Sequence, residues 1–260
     1  MGGFYVEQDR DVVHVTGSDA RKFLHSQLAN DVVSLKVGES RYSLLLEPTG
    51  KITSLLRVCC KSEENFVLDC ETGFGEVSAS RLSRFKIRIK CEISTNSQKF
   101  IALRGLSTNQ CADYSTNAMA ISAWREKDFA VDFVASDFVV GDLRHGSAEE
   151  FELARVMAKW PKMGTDMNDE SMPAETGLTD CAVSFTKGCY PGQELVERMD
   201  SRGAKAPQQL RLIRAHRDAR AGEPVVLGGQ TIGTYTSVCQ EFALALIKRW
   251  ADSSSLEIGA

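Results

Sequence analysis

Along the first half of the chain, short runs of alternating apolar and polar residues, the period of half-buried strands, are interrupted by stretches with helical spacing. Residues 12–15 read as a strand, and Thr16-Gly17-Ser18-Asp19 supplies the turn and N-cap chemistry that starts a helix. Ala20, Phe23, Leu24, Gln27 and Leu28 then recur at helical spacing. Residues 42–46 and 52–60 predict two strands around the turn-forming Glu47-Pro48-Thr49-Gly50-Lys51. A strand over 65–69 precedes a helix carrying Phe74, Val77 and Leu82. Next, Phe85, Ile87, Ile89, Cys91 and Ile93 alternate with Lys86, Arg88 and Lys90, which predicts a half-buried strand with a solvated basic face. Strands are expected over 100–103, 119–124 and 129–133, then a helix over 147–159 with Glu149 and Glu150 at its positive end. Residues 160–182 are irregular. Beyond Pro207, closely spaced strands at 210–215, 224–227, 231–237 and 244–248, with Gly228-Gly229 as a hairpin turn, predict a small β-barrel. The pattern is α+β with a β-rich C-terminal part.

Composition mainly excludes. The chain has 260 residues, 43% hydrophobic and 25% charged, enough for one large domain or two to three small ones. Lys plus Arg number 31 against 35 for Asp plus Glu, a net charge of -4 that rules out a histone-like basic protein but not a local basic patch. The longest apolar run, 242–247, is far short of the roughly 20 residues that span a bilayer. No basic start followed by an apolar stretch opens the chain, so the expectation is a cytoplasmic protein with no membrane association. Eight cysteines stand at 59, 60, 70, 91, 111, 181, 189 and 239, without a C-x-x-C pair. They are expected to be reduced thiols, mostly packed as small apolar side chains, and no metal site is expected.

Most catalytic signatures are missing: no P-loop, G-x-G-x-x-G, G-x-S-x-G or H-E-x-x-H occurs. Thr186-Lys187-Gly188-Cys189-Tyr190-Pro191-Gly192-Gln193-Glu194, continuing to Arg198, stands apart. Two glycines and a proline shape a tight loop, Gln193 and Glu194 open a short helix, and Cys189 sits just before it with Lys187 two residues away, a setting that favours a thiolate. From the residues alone, Cys189 reads first as one more packed thiol, with the activated thiol as the alternative. Two basic segments invite a nucleic-acid reading. Residues 81–90 hold five basic side chains and no acid, which the alternation assigns to a strand face. Arg202, Lys205, Arg211, Arg214, Arg217 and Arg220, opposed only by Asp218, are expected on the charged surface of the C-terminal barrel.

The cysteine motif, K-G-C-Y-x-G-Q-E with its trailing basic residue, resembles the signature of the YgfZ-type folate-binding proteins, relatives of the glycine-cleavage T-protein aminomethyltransferases. Val15-Thr16-Gly17-Ser18-Asp19-Ala20 with Gln27-Leu28-Ala29-Asn30-Asp31-Val32, Leu45-Leu46-Glu47-Pro48-Thr49-Gly50-Lys51-Ile52, Pro173-Ala174-Glu175-Thr176-Gly177-Leu178 and Gly233-Thr234-Tyr235-Thr236-Ser237 are similar to further landmarks of that family. The resemblance covers nearly the whole chain. It implies a ring of three subdomains around a central folate cavity, closed by a small C-terminal β-barrel. The corresponding division is 1–205 for two interwoven α+β subdomains, the middle one about 76–155, and 206–260 for the barrel.

By resemblance, the bound cofactor is tetrahydrofolate or another reduced folate, and Arg155 takes the place of a folate-contacting arginine. Asp128 or Asp132 takes that of a pterin-binding glutamate, although the glycine of that pattern is missing. Glu175, Gln193, Glu194 and Arg198 are further site candidates, and Cys189 with Lys187 is the implied functional pair. The aminomethyltransferases carry an Asp-Asp pair where this chain has Ser54-Leu55, which argues against the glycine-cleavage reaction. The resemblance implies a folate-dependent accessory role in iron–sulfur cluster assembly or repair, and through it tRNA modification, with iron–sulfur client or assembly proteins as partners. A folate-dependent one-carbon transferase and a tRNA-binding protein are the alternatives. A monomer is expected.

Overall fold

The computed structural model of the chain describes residues 2–106, 110, 121–125, 130–134, 141–201, 206–251 and 256–258. Its larger sheet is built from β1 (Phe4–Thr16), β2 (Ser40–Leu46), β3 (Ile52–Ser62), β4 (Asn65–Glu71), β5 (Glu92–Arg104), β6 (Ile121–Ser122) and β7 (Ala130–Val134). The seven strands run in the order β2-β3-β4-β1-β5-β7-β6, each pair antiparallel.

The two faces of this sheet differ in chemistry. On one, Val13, Val15, Leu56, Val58, Cys60, Phe66, Leu68 and Cys70 are buried beneath α1 (Ala20–Gln27) and α2 (Gly75–Ser83). Helix α1 lays Ala20, Phe23 and Leu24 into this core, and each such side chain removed from water contributes about 1.5–3 kcal/mol for the larger residues. The other face carries Arg10, Arg57, Asp69, Arg104 and Asp132, because successive side chains of a strand point to opposite sides. Both faces are covered at the centre, so β3 reads as nine consecutive buried residues before its exposed end.

Residues 84–91 correct the strand expected there. After α2, backbone bonds from the N–H of Phe85 to Leu82 O, Lys86 to Ser83 O and Ile87 to Phe85 O turn the chain, and Arg88 adopts φ 57°. Ile87 is 75% exposed, and Phe85 lies against the Arg81 guanidinium at 4.3 Å. The physical reason is the ladder. β5 starts at Glu92, opposite Thr16, the last residue of β1, so the alternating run before it has no strand to bond with.

Helix α3 (Ala148–Met157) begins with a capping box in which the Ser147 side chain accepts from Glu150 N and Glu150 accepts from Ser147 N. The irregular stretch that follows holds two one-turn helices, α4 (Pro173–Thr176) and α5 (Thr179–Ala182), before α6 (Gln193–Ser201). The C-terminal strands β8 (Gln208–Arg214), β9 (Pro224–Leu227), β10 (Gln230–Cys239) and β11 (Phe242–Lys248) form a four-stranded antiparallel sheet in the order β8-β11-β10-β9. Gly228 and Gly229 turn β9 into β10 with φ of 58° and 80°, a conformation that hairpin turns assign to glycine. Leu153 and Val156 of α3 pack on Leu212, Cys239 and Leu244, fastening this sheet to the rest. Among the described residues, no helix is long and apolar enough to cross a membrane.

Candidate functional site

A cavity of about 360 Å3 lies between the charged face of the large sheet and α3. Tyr42, Trp124, Phe151 and Trp160 give it aromatic walls, the rings of Tyr42 and Trp160 centred 4.5 Å apart and those of Trp124 and Phe151 5.7 Å apart, both pairs tilted. Arg10, Arg104, Arg155 and Lys162 bring positive charge to it, and Glu71, Asp132 and Glu152 negative charge.

The sheet side of the cavity rests on a buried ion network. The Arg57 guanidinium donates from Nε and Nη2 to both carboxylate oxygens of Asp69 at 2.8 and 2.9 Å, and from Nη1 to Asp132 Oδ2 at 2.7 Å. Arg104 Nη1 donates to Asp132 Oδ1 at 2.7 Å, and Arg10 Nε to Asp69 Oδ1 at 2.6 Å. Burial opposes the charge on Asp132, but the Arg104 and Arg57 guanidinium groups hold its carboxyl below the usual carboxylate range. Asp132 thus lines the cavity as a charged group with an arginine on each oxygen.

Arg155 lines the cavity from the other side, and its hydrogen-bonding capacity is full. Nε and Nη2 donate to the two oxygens of Glu152 at 2.9 and 2.6 Å. Nη1 donates to Trp160 O and Asp166 Oδ2, both at 2.6 Å, and Nη2 also to Ser237 Oγ at 2.7 Å. A guanidinium has five N–H donors, and all five are taken within the protein. Asp166, fully buried, also accepts from Thr236 Oγ1 at 2.5 Å and Ser237 Oγ at 2.7 Å. The Gly233-Thr234-Tyr235-Thr236-Ser237 landmark is thereby explained: its hydroxyls tie β10 to the loop after α3. A Cβ on Gly233 would stand 2.3 Å from Leu246 O.

The Cys189 loop lies elsewhere, since no residue of 173–201 lines this cavity. Two other landmarks, the 47–51 turn and the 27–32 segment, hold it. Gly192, at φ 85°, approaches the 47–51 turn so closely that a Cβ there would meet Glu47 O at 2.7 Å and Gly50 Cα at 2.9 Å. The Lys187 ammonium donates to the backbone carbonyls of His25 and Leu28, the latter at 2.6 Å, and lies 4.9 Å from the Tyr190 ring. It caps the C-terminal end of α1, where carbonyls lack intrahelical partners. Asn30 Nδ2 bridges Tyr42 O at 2.8 Å and Cys181 O at 2.9 Å, while Ser184 N donates to Ala29 O at 3.0 Å. Burial pushes Lys187 down to about 8, despite the opposing pull of Asp31 and Cys189. Tyr190 is buried among Tyr42, Trp124 and Trp160, so the loop abuts the aromatic cluster that walls the cavity. Cys189 itself is exposed.

The remaining candidates separate. Glu175 is buried and accepts from Met172 N at 2.9 Å, capping α4. Gln193 Oε1 accepts from Tyr190 N at 3.3 Å, closing the loop onto α6. Glu194 and Arg198 are exposed on α6. Asp128 lies outside the described residues. Of the cysteines, 59, 60, 70, 91 and 239 are buried and 181 half-buried, while Cys111 is outside the described residues. Burial raises the Cys59, Cys70 and Cys181 thiols to about 12. No cluster of three metal-ligating side chains occurs among the described residues. Sequence reasoning missed Arg10, Arg57, Asp69, Arg104 and Asp166. The signal available for Arg57, Asp69 and Arg104 was a charge set inside an otherwise apolar strand.

Comparison with known proteins gives this architecture its place. Residues 10–130 match the GCVT N-terminal domain family. The glycine cleavage system aminomethyltransferase T from Bartonella henselae matches the structure with a TM-score of 0.78, over 94% of this chain and 78% of that one, at 19% identity. A likeness at that identity shows the fold, which is GcvT-like. Over 250 residues, 91% of this chain and 84% of the relative, it is 26% identical to an uncharacterized protein of Haemophilus influenzae. To the tRNA-modifying protein YgfZ of Vibrio vulnificus it is 24% identical over 218 residues, 77% of this chain and 67% of that one. In sequence, then, the chain is similar to YgfZ-type proteins, and in fold it is GcvT-like.

Proposed function

We propose that the chain binds tetrahydrofolate or another reduced folate in the cavity beneath α3 and serves as an accessory protein for iron–sulfur cluster assembly or repair, and through it for tRNA modification. The observation that carries the binding step is the pairing of aromatic walls with arginine and lysine side chains in one cavity. A folate offers a flat pterin to the first and an anionic glutamyl tail to the second. The residues present fit the group in one further respect, because Arg104 Nε is buried there without a partner. The name carried by the Vibrio relative supports the link to tRNA modification. In this reading the described C-terminal strands belong to a closing barrel over 206–260, and the remainder is the two-subdomain body of a ring.

Transfer of an aminomethyl group is not part of the proposal. Leu55 presents an apolar side chain to the cavity wall, and Ser54 is buried with its hydroxyl 2.7 Å from that of Ser78. Cys189 is proposed as the functional thiol, displayed beside the cavity rather than in it. Titration calorimetry with tetrahydrofolate tests the binding step, and saturable one-to-one binding is expected. Release of ammonia and methylene-tetrahydrofolate from aminomethylated carrier protein would instead establish a transferase. Cys189→Ala is expected to fold and to bind folate but to fail in restoring iron–sulfur enzyme activity to a deletion strain.

A further inference from the structure

A guanidinium presents two kinds of edge. Nε–H and Nη2–H run parallel and form a fork that fits two adjacent acceptor atoms, while Nη1 points away from it. Arg57 and Arg155 show the fork in use, the first closed on Asp69 and the second on Glu152. Arg104 is different. Its Nη1 donates to Leu103 O at 2.8 Å, Val131 O at 3.3 Å and Asp132 Oδ1 at 2.7 Å. Its Nε is buried with no hydrogen-bond partner, and no acceptor is recorded at Nη2. The residue is 2% exposed and lines the cavity.

Two features hold that open fork in place. The guanidinium is 4.1 Å from the centre of the Trp124 ring and 4.9 Å from that of Phe151, and its far side is tied to Asp132, which Arg57 holds in turn. An unpaired buried donor carries an unrecovered desolvation cost, which a ligand acceptor removes on binding. We propose that Arg104, rather than Arg155, is the arginine that reads the ligand in this cavity, closing its Nε/Nη2 fork on a pair of adjacent acceptor atoms. The inference rests on the folate reading and deepens it. A folate offers such a pair in two places, a carboxylate of the glutamyl tail and the carbonyl edge of the pterin. Asp132 is then a positioning residue that orients the fork from behind.

The experiment compares wild type, Arg104→Lys and Arg155→Lys with three ligands: tetrahydrofolate, 6-methyltetrahydropterin, which has no tail, and p-aminobenzoylglutamate, which has no pterin. Arg104→Lys keeps the charge and loses the fork, so tetrahydrofolate affinity is expected to fall by about tenfold or more. The fragment whose affinity falls in parallel identifies the acceptor pair. In wild type, the Arg104 Nε–H resonance is expected to shift downfield on adding tetrahydrofolate, a readout that does not depend on any variant folding. Wild-type binding that leaves this resonance unmoved, or equal affinity in Arg104→Lys, overturns the assignment. Wild type that binds none of the three ligands overturns the folate reading itself, and the fork's assignment with it.

Discussion

At the scale of single residues, charge and burial decide most of what distinguishes one lysine or cysteine from another. Lys187 is half-buried against two carbonyls, and burial lowers its ammonium from 10.5 to about 8. Between those values the unfolded chain holds the proton more tightly than the folded one, so this group adds stability as pH rises through that window. The difference in urea midpoint between wild type and Lys187→Met is therefore expected to widen from pH 7.5 to 10, and a flat difference would refute the assignment. At neutral pH the variant is expected to lose about 1.5–3 kcal/mol, the range for hydrogen bonds to a charged donor. The thiols differ in access. Iodoacetamide applied to the native protein is expected to alkylate Cys189 first and to leave Cys59, Cys60 and Cys70 unlabelled, read by peptide mass spectrometry.

Elements are where periodicity succeeded and where it failed. The runs at 42–46, 52–60 and 65–69 became β2, β3 and β4, and the helical spacing from Ala20 became α1, because each has an apolar face with a partner. The equally regular alternation became a loop over 85–91 and joined β5 only from Glu92, since alternation records a preference for two faces and says nothing of a neighbouring strand. Ile87→Ser is expected to shift stability by less than about 0.5 kcal/mol, as at an ordinary surface site. A loss near that of a core substitution would restore the strand. Gly192 is the opposite case. Its positive φ and the backbone 2.7 Å from a built Cβ lead us to expect that Gly192→Ala costs about 1–3 kcal/mol for the conformation alone. Displacement of the Cys189 loop from the 47–51 turn adds to that cost, and near-ultraviolet dichroism of Tyr190 in its aromatic cluster is the measurement that detects it.

At the scale of the whole molecule, the buried charges couple parts of the chain that are distant in sequence. Asp166 joins Arg155 of α3 to Thr236 and Ser237 of β10. Removing one partner of such a network leaves the other charge buried and uncompensated, so Asp166→Ala is expected to cost about 3–5 kcal/mol. Limited proteolysis should then cut between α6 and β8 faster than in wild type, as the C-terminal sheet loosens. Arg155 takes part in the same coupling: it lines the cavity, but its donors are engaged on Glu152 and Trp160 nearby and, through Asp166 and Ser237, at the junction with the C-terminal sheet.

By itself the sequence determined which segments are amphipathic, where glycine-dependent turns fall, and that Cys189 stands in an unusual loop. Those properties are written in residues near one another along the chain. Only the tertiary structure decided that Arg57, Asp69, Arg104 and Asp132 form one network across β3, β4, β5 and β7, and that Gly192 of the cysteine motif meets the 47–51 turn. Strand order sets which side chains become neighbours, and no local pattern encodes it. A charged residue in an apolar run therefore announces itself in the sequence, but its partner, and whether its donors are free for a ligand, is settled only when the sheet is assembled.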